Sequence, residues 1–245
     1  MSEPDVNSPK VVYPRIVVSL DFPNQEKTLD IVKKLDPSSC RLKVGKELFT
    51  SAGPDIVKKL IDMGFDVFLD LKFHDIPSTV ARACTAAASL GVWMINVHAS
   101  GGQQMLAAAR EAIDRHQHKP LLTAVTVLTS LNDNDLNSMG INNSVNEQVI
   151  TLARLARQEG LDGVVCSAQE VAILKKEFGE NFCLVTPGIR PSGTSSDDQS
   201  RIMTPAQAIA AGSHYLVIGR PVTQSPDPVA TLMAIDKEIK EVTGG

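Results

Sequence analysis

Eight short apolar, β-branched runs alternate with eight helical patterns along the whole chain. The runs fall at 15–22, 41–44, 66–72, 93–98, 121–129, 163–167, 183–187 and 215–219. They are almost continuously hydrophobic, as parallel strands covered on both faces must be. Helical patterns fill the intervals at 25–35, 54–63, 77–90, 102–115, 145–159, 168–178, 205–211 and 228–242. Pro54, Pro77, Pro205 and Pro228 suit first helical turns, and Gly64, Gly91, Gly160 and Gly212 suit helix ends. Strict alternation of this kind in 245 residues predicts an α/β fold, a (β/α)8 TIM barrel in one domain. A doubly wound open sheet is the other arrangement, and no Gly-x-Gly-x-x-Gly follows the first run to support it. Residues 1–12 read as a flexible N-terminal tail, and 13–245 as the barrel. Two stretches lack a periodic pattern, 130–144 and 191–200, and read as binding loops or lids.

Barrels of this type place their chemistry at the C-terminal strand ends, and the charges of this chain gather there. The third run ends in Asp70-Leu71-Lys72-Phe73-His74-Asp75. Side chains two apart on a strand share a face, so Asp70 and Lys72 point the same way. Asp21 closes the first run and Lys43 lies late in the second. Neighbouring strands thus bring Asp21, Lys43, Asp70 and Lys72 into an array of alternating sign. Each charge has an opposite neighbour, which lowers the cost of desolvating it. Across the barrel, the seventh and eighth runs end in Pro187-Gly188-Ile189-Arg190 and Ile218-Gly219-Arg220-Pro221. Loops there often bind phosphate. Gly219 admits a close backbone approach, the Arg220 fork matches phosphate oxygens, and Gln199 is placed to close over them.

The net charge of −4 excludes a broad basic nucleic-acid surface but not a local anion site. No apolar stretch is long enough for a membrane span, and the polar, acidic start is unlike a secretory signal. Cys40, Cys84, Cys166 and Cys183 form no Cys-x-x-Cys pair and read as buried free thiols. The chain is therefore expected to be cytoplasmic, with neither nucleic acid nor membrane as partner.

Taken together, these segments resemble the orotidine 5'-monophosphate decarboxylase family in its bacterial, monofunctional form. The strongest element is 70–79, which looks like that family's Asp-x-Lys-x-x-Asp signature. Ser19-Leu20-Asp21, Leu42-Lys43-Val44-Gly45, Val127-Leu128-Thr129-Ser130 and the two arginine-bearing segments support it. The resemblance implies conversion of orotidine 5'-monophosphate to uridine 5'-monophosphate without cofactor or metal, by a homodimer with shared active sites. Lys72 would then protonate C6 of the pyrimidine, and Asp70 would sit beside the substrate carboxylate. Lys43 and Asp21 would contact the ribose. Asp75 would reach into the partner's site, with Thr79 nearby. Thr129 and Ser130 would meet the base or ribose, and Pro187, Arg190, Gln199, Gly219 and Arg220 would border the phosphate end.

A related barrel with the same Asp-x-Lys-x-x-Asp frame acts on sugar phosphates with magnesium. Its lysine is typically followed by Thr, whereas Phe73-His74 follows Lys72 here. A non-catalytic phosphate-ligand sensor is the third reading. His74 and His98 read as packing behind the array, His116 and His118 as solvated, and Trp93 as core.

Overall fold

In the computed structural model, which describes residues 13–191 and 203–243, eight parallel strands close into a barrel in chain order. They are β1 Ile16–Ser19, β2 Arg41–Gly45, β3 Val67–Phe73, β4 Met94–His98, β5 Leu121–Val125, β6 Gly163–Val165, β7 Cys183–Thr186 and β8 Tyr215–Ile218. Helices on the outside are α1 Gln25–Val32, α2 Lys46–Ala52, α3 Pro54–Asp62, α4 Pro77–Ser89, α5 Gln103–Arg115 and α6 Asp133–Ser138. They continue with α7 Val145–Gln158, α8 Val171–Phe178, α9 Pro205–Ala211, α10 Arg220–Thr223 and α11 Pro228–Thr243. The barrel expectation holds, and the expected tail at 1–12 lies outside the described residues.

Strand alternation sorts side chains into two cores. Outward-facing residues such as Val18, Leu42, Leu69, Ile95, Leu122 and Leu184 pack with the helices into the larger cluster. Inward-facing Val17, Phe68, Met94, Cys183, Val185, Tyr215 and Val217 fill the barrel. Its lower end is closed by Arg41, whose guanidinium lies 4.3 Å from the Trp93 ring centroid and 5.1 Å from that of Tyr215. Asp66 pairs with it at 3.1 Å, so the buried cation is neutralised. Trp93 thus belongs to the barrel floor. Gly163 is required there: a Cβ would stand 2.0 Å from the Cys183 carbonyl oxygen.

Three local expectations need correction. The 130–144 stretch is not a plain loop but carries α6, with side-chain capping boxes at Asn132/Asp135 and Ser144/Glu147. Its six residues are too few to print an apolar period. The single helix expected at 168–178 begins as a 3-10 turn, Ala168–Glu170, set by the Ser167/Glu170 capping box. The first and fifth strands stop at Ser19 and Val125, so Asp21 and Thr129 stand on the loops beyond them. Hydrophobicity continues past the strand ends because Leu20 and Val127 beyond them are still buried in the larger cluster.

The four cysteines are buried free thiols. Burial pushes Cys40 and Cys84 up to about 12 and raises Cys166 and Cys183 further, which suppresses thiolate chemistry.

Candidate active site

The upper end of the barrel interior turns from apolar to charged. Ser19 and Lys43 are opposite each other in the β1–β2 register, and Gly45 is opposite Asp70 in the β2–β3 register. Lys43 Nζ lies 3.2 Å from Asp70 Oδ2 and 3.4 Å from Asp21 Oδ1. Lys72 Nζ lies 2.6 Å from Asp70 Oδ1. The four charges therefore form one chain, Asp21–Lys43–Asp70–Lys72. Ser19 Oγ donates to the far oxygen of Asp21 at 2.7 Å. Lys43 and Asp70 are both buried, while Lys72 keeps part of its side chain open to the cavity. Burial alone would raise the Asp70 carboxyl. The charges of Lys43 and Lys72, with hydrogen bonds from Lys72 and Asn96, outweigh it and hold the group below its ordinary value. Gly45 leaves room for this chain, since a Cβ there would lie 3.2 Å from Lys43 Nζ and 3.3 Å from Asp21 Oδ1.

Two cavities meet over the array. One, of about 400 Å3, is polar and is bordered by Asp21, Lys43, Asp70, Arg190, Gly219 and Arg220. The other, of about 170 Å3, is mostly apolar and contains Lys72, Phe68, Val127, Thr129 and Val165. Pro187, Lys43, Asp70 and Val217 border both. The geometry suits an elongated ligand with an anionic end at the two arginines and a flat, weakly polar end over Lys72. Arg190 is buried and its Nη1 donates to the Ile189 carbonyl at 3.0 Å, which fixes its direction. Gly219 immediately precedes the one-turn helix α10.

Not every expected residue joins this cluster. Asp75 is exposed, takes part in no ion pair among the described residues, and accepts the Ile76 N–H at 2.6 Å. Thr79 lies at the start of α4, where its hydroxyl accepts from Arg82 at 3.5 Å. Neither borders the two cavities, and neither does Ser130. Gln199 lies outside the described residues. His74 and His98 stand beside the array with ring centroids 5.3 Å apart. Burial first, then the charges of His74, Lys46 and Lys72, push His98 down to about 4, so it is neutral at ordinary pH.

Sequence reasoning missed Ser19 as the partner of Asp21, Gln224 in the polar cavity, and Asn96 beneath Asp70. Asn96 had a legible signal. A lone Asn within Trp93-Met94-Ile95-Asn96-Val97 must find buried hydrogen bonds or destabilise its strand.

Residues 14–235 match the Orotidine 5'-phosphate decarboxylase / HUMPS family. The chain belongs to that family. Among its decarboxylase-named relatives, the orotidine 5'-phosphate decarboxylase of Saccharophagus degradans is 61% identical over 232 residues, 95% of this chain and 98% of the relative. That of Pseudoalteromonas translucida is 61% identical over 227 residues, 92% of this chain and 97% of the relative. The crystal structure of orotidine 5'-phosphate decarboxylase from Lactobacillus acidophilus is 42% identical, with a TM-score of 0.82 over 91% of this chain and 98% of that one. The matched residues include the Asp70–Lys72 segment that carries the charge array.

Proposed function

We propose that this chain is a carboxy-lyase that converts orotidine 5'-monophosphate to uridine 5'-monophosphate, the last step of de novo pyrimidine synthesis. The carrying observation is Lys72 in the apolar cavity, paired with Asp70, which also borders the cavity edged by two arginines. The phosphate would lie against Arg190, Gly219 and Arg220. Asp21 and Lys43 would meet the ribose, and Thr129 and Ser130 the base or the ribose.

In the step itself the bond from C6 to the carboxylate breaks and its electron pair stays on C6. Carbon dioxide leaves, and the Lys72 ammonium gives a proton to C6. Solvent then restores the ammonium. The developing pair lies in the ring plane, where the ring delocalises it poorly. Fixed positive charge beside C6 is therefore the main stabiliser. The largest known accelerations correspond to about 20 kcal/mol, more than one lysine supplies. Binding energy from the remote phosphate supplies part of the remainder by ordering the site. Asp70 beside the substrate carboxylate adds a repulsion that departs with carbon dioxide, ranked here below carbanion stabilisation.

The reading includes a cytoplasmic homodimer. Four buried thiols suit a reducing compartment. No helix among the described residues is long and apolar enough to cross a membrane. Asp75 stands apart from its own array next to Ile76, whose side chain is 64% exposed, and both suit a subunit contact. The magnesium-dependent reading is not favoured, because Asp21 and Asp70 are already bridged by Lys43. Decay of the ultraviolet absorbance of orotidine 5'-monophosphate in excess EDTA tests the reading. Undiminished turnover is expected, and loss of activity with EDTA would overturn it.

A further inference from the structure

Strand β3 is irregular where its charges lie. Leu69 is opposite Ile95 on β4 and Phe73 is opposite Val97, so residues 70, 71 and 72 together face the single residue Asn96. The register to β4 shifts across this bulge, while Leu69, Leu71 and Phe73 pack outward and Asp70 and Lys72 face the cavity. Lys72 has φ = 53°, the only positive φ outside glycine among the described residues. A lysine gains nothing intrinsic from that left-handed conformation, so neighbouring structure must hold it.

Asn96 is fully buried, and both ends of its amide are used. Its Oδ1 accepts the Lys72 backbone N–H at 2.8 Å. Its Nδ2 donates to Asp70 Oδ1 at 2.7 Å, the same oxygen that receives the Lys72 ammonium at 2.6 Å. One side chain thus ties the backbone of the lysine to the carboxylate that aims its ammonium. We propose that Asn96 is a positioning residue for the decarboxylation, holding the β3 bulge in the form that directs Lys72 Nζ at the reacting carbon. This inference rests on the decarboxylase reading above.

The bulge has a consequence for geometry. A regular strand would carry Lys72 one strand step beyond Asp70, and its N–H would seek a β4 carbonyl. The bulge instead turns this N–H to an acceptor on the Asn96 side chain. An amide is the fitting group, since it accepts from the N–H and donates to the carboxylate at once. Ser or Thr offers a shorter reach, and Asp lacks the donor. The groups facing the amide are Asp70 and Lys72 from β3. Lys43 from β2 lies behind Asp70, and His98 lies farther along β4. On the other side Asn96 pairs with Thr123 of β5, which is uncharged.

The test compares the full-length wild-type chain with Asn96→Ala and Asn96→Asp, by steady-state decay of orotidine 5'-monophosphate absorbance from pH 5 to 9. Asn96→Ala is expected to lower kcat about 100-fold, the scale of a misplacement near 1 Å, while KM changes less than about threefold. Asn96→Asp keeps the acceptor for Lys72 but sets a carboxylate against Asp70. Its kcat is expected to recover toward low pH, where the new carboxyl is protonated and donates, and to fall as pH rises. Wild type should lack that limb. If Asn96→Ala fails to fold, as circular dichroism would reveal, the isosteric Asn96→Asp profile decides. A folded Asn96→Ala with wild-type kcat, or an Asn96→Asp profile parallel to wild type, would overturn the proposal. A wild-type chain without turnover would instead overturn the decarboxylase reading, and this inference with it.

Discussion

The Lys72 ammonium stands 2.6 Å from Asp70 Oδ1, and the other oxygen of that carboxylate, Oδ2, is held at 3.2 Å by Lys43. Asp70 is thereby flanked by two positive neighbours, while Lys72 has one carboxylate partner among the described residues and a face open to the apolar cavity. A ligand in that cavity would meet this face of the ammonium.

Replacing Lys72 by Ala removes that proton and the positive charge together. Decarboxylation is expected to fall by about 10^4-fold or more, combining the usual scale of a proton donor and of fixed charge at a developing anion. The fold should survive, because Lys43 and Asn96 still satisfy Asp70. Turnover assays with circular dichroism check both halves, and unchanged turnover would refute the assignment.

Arg220 borders the polar cavity opposite the array. Arg220→Ala should weaken binding of the phosphorylated substrate by about 2–4 kcal/mol, the range for one lost charge-assisted contact. Binding of the corresponding nucleoside, which lacks phosphate, should change far less. Titration calorimetry of both ligands measures the difference, and equal losses would refute the phosphate role.

Asp75 and Thr79 do not border the cavities of their own chain, so the two-subunit reading is testable by complementation. Lys72→Ala and Asp75→Ala should each be nearly inactive alone. Mixed and refolded together, they should regain about a quarter of wild-type activity, because half of the molecules are heterodimers with one intact site. Absence of recovery, with dimers verified by sedimentation, would place Asp75 in its own subunit's site.

The acid side of the stability profile should show two successive losses. His98 titrates at about 4 when folded against 6.5 as the reference value. Below 6.5 the unfolded chain takes up a proton that the folded chain refuses, so stability falls from there down to about 4. Asp70 is lowered from 3.8, so its contribution is present above that value and is lost only as pH falls further. Urea midpoints between pH 7.5 and 4.5 should therefore decline in wild type and flatten in His98→Asn. Parallel curves would show that another group governs the decline.

Much of this molecule can be read locally. Apolar runs such as Ile16–Val18 and Leu184–Val185 announce parallel strands, because burial on both faces forces near-continuous hydrophobicity. Pro54, Pro77 and Pro205 mark helix starts that the structure reproduces. The strand-end charges are legible because a charge at the end of an apolar run needs a reason. Helix α6 was not legible, since its stability comes from capping oxygens rather than an apolar stripe.

By itself the sequence determined the alternation that makes a barrel, and hence the end at which Asp21, Lys43, Asp70, Lys72, Arg190 and Arg220 would gather. Those depend on period and order, which are properties of one chain segment at a time. Only the tertiary structure decided how Asp70 and Lys72 meet. The shared face predicted from period two persists, but across a bulge in which residues 70–72 oppose Asn96, with Lys72 turned to φ = 53°. Cross-strand register and a buried amide 24 residues away from Lys72 hold that geometry, and no local pattern in β3 encodes either.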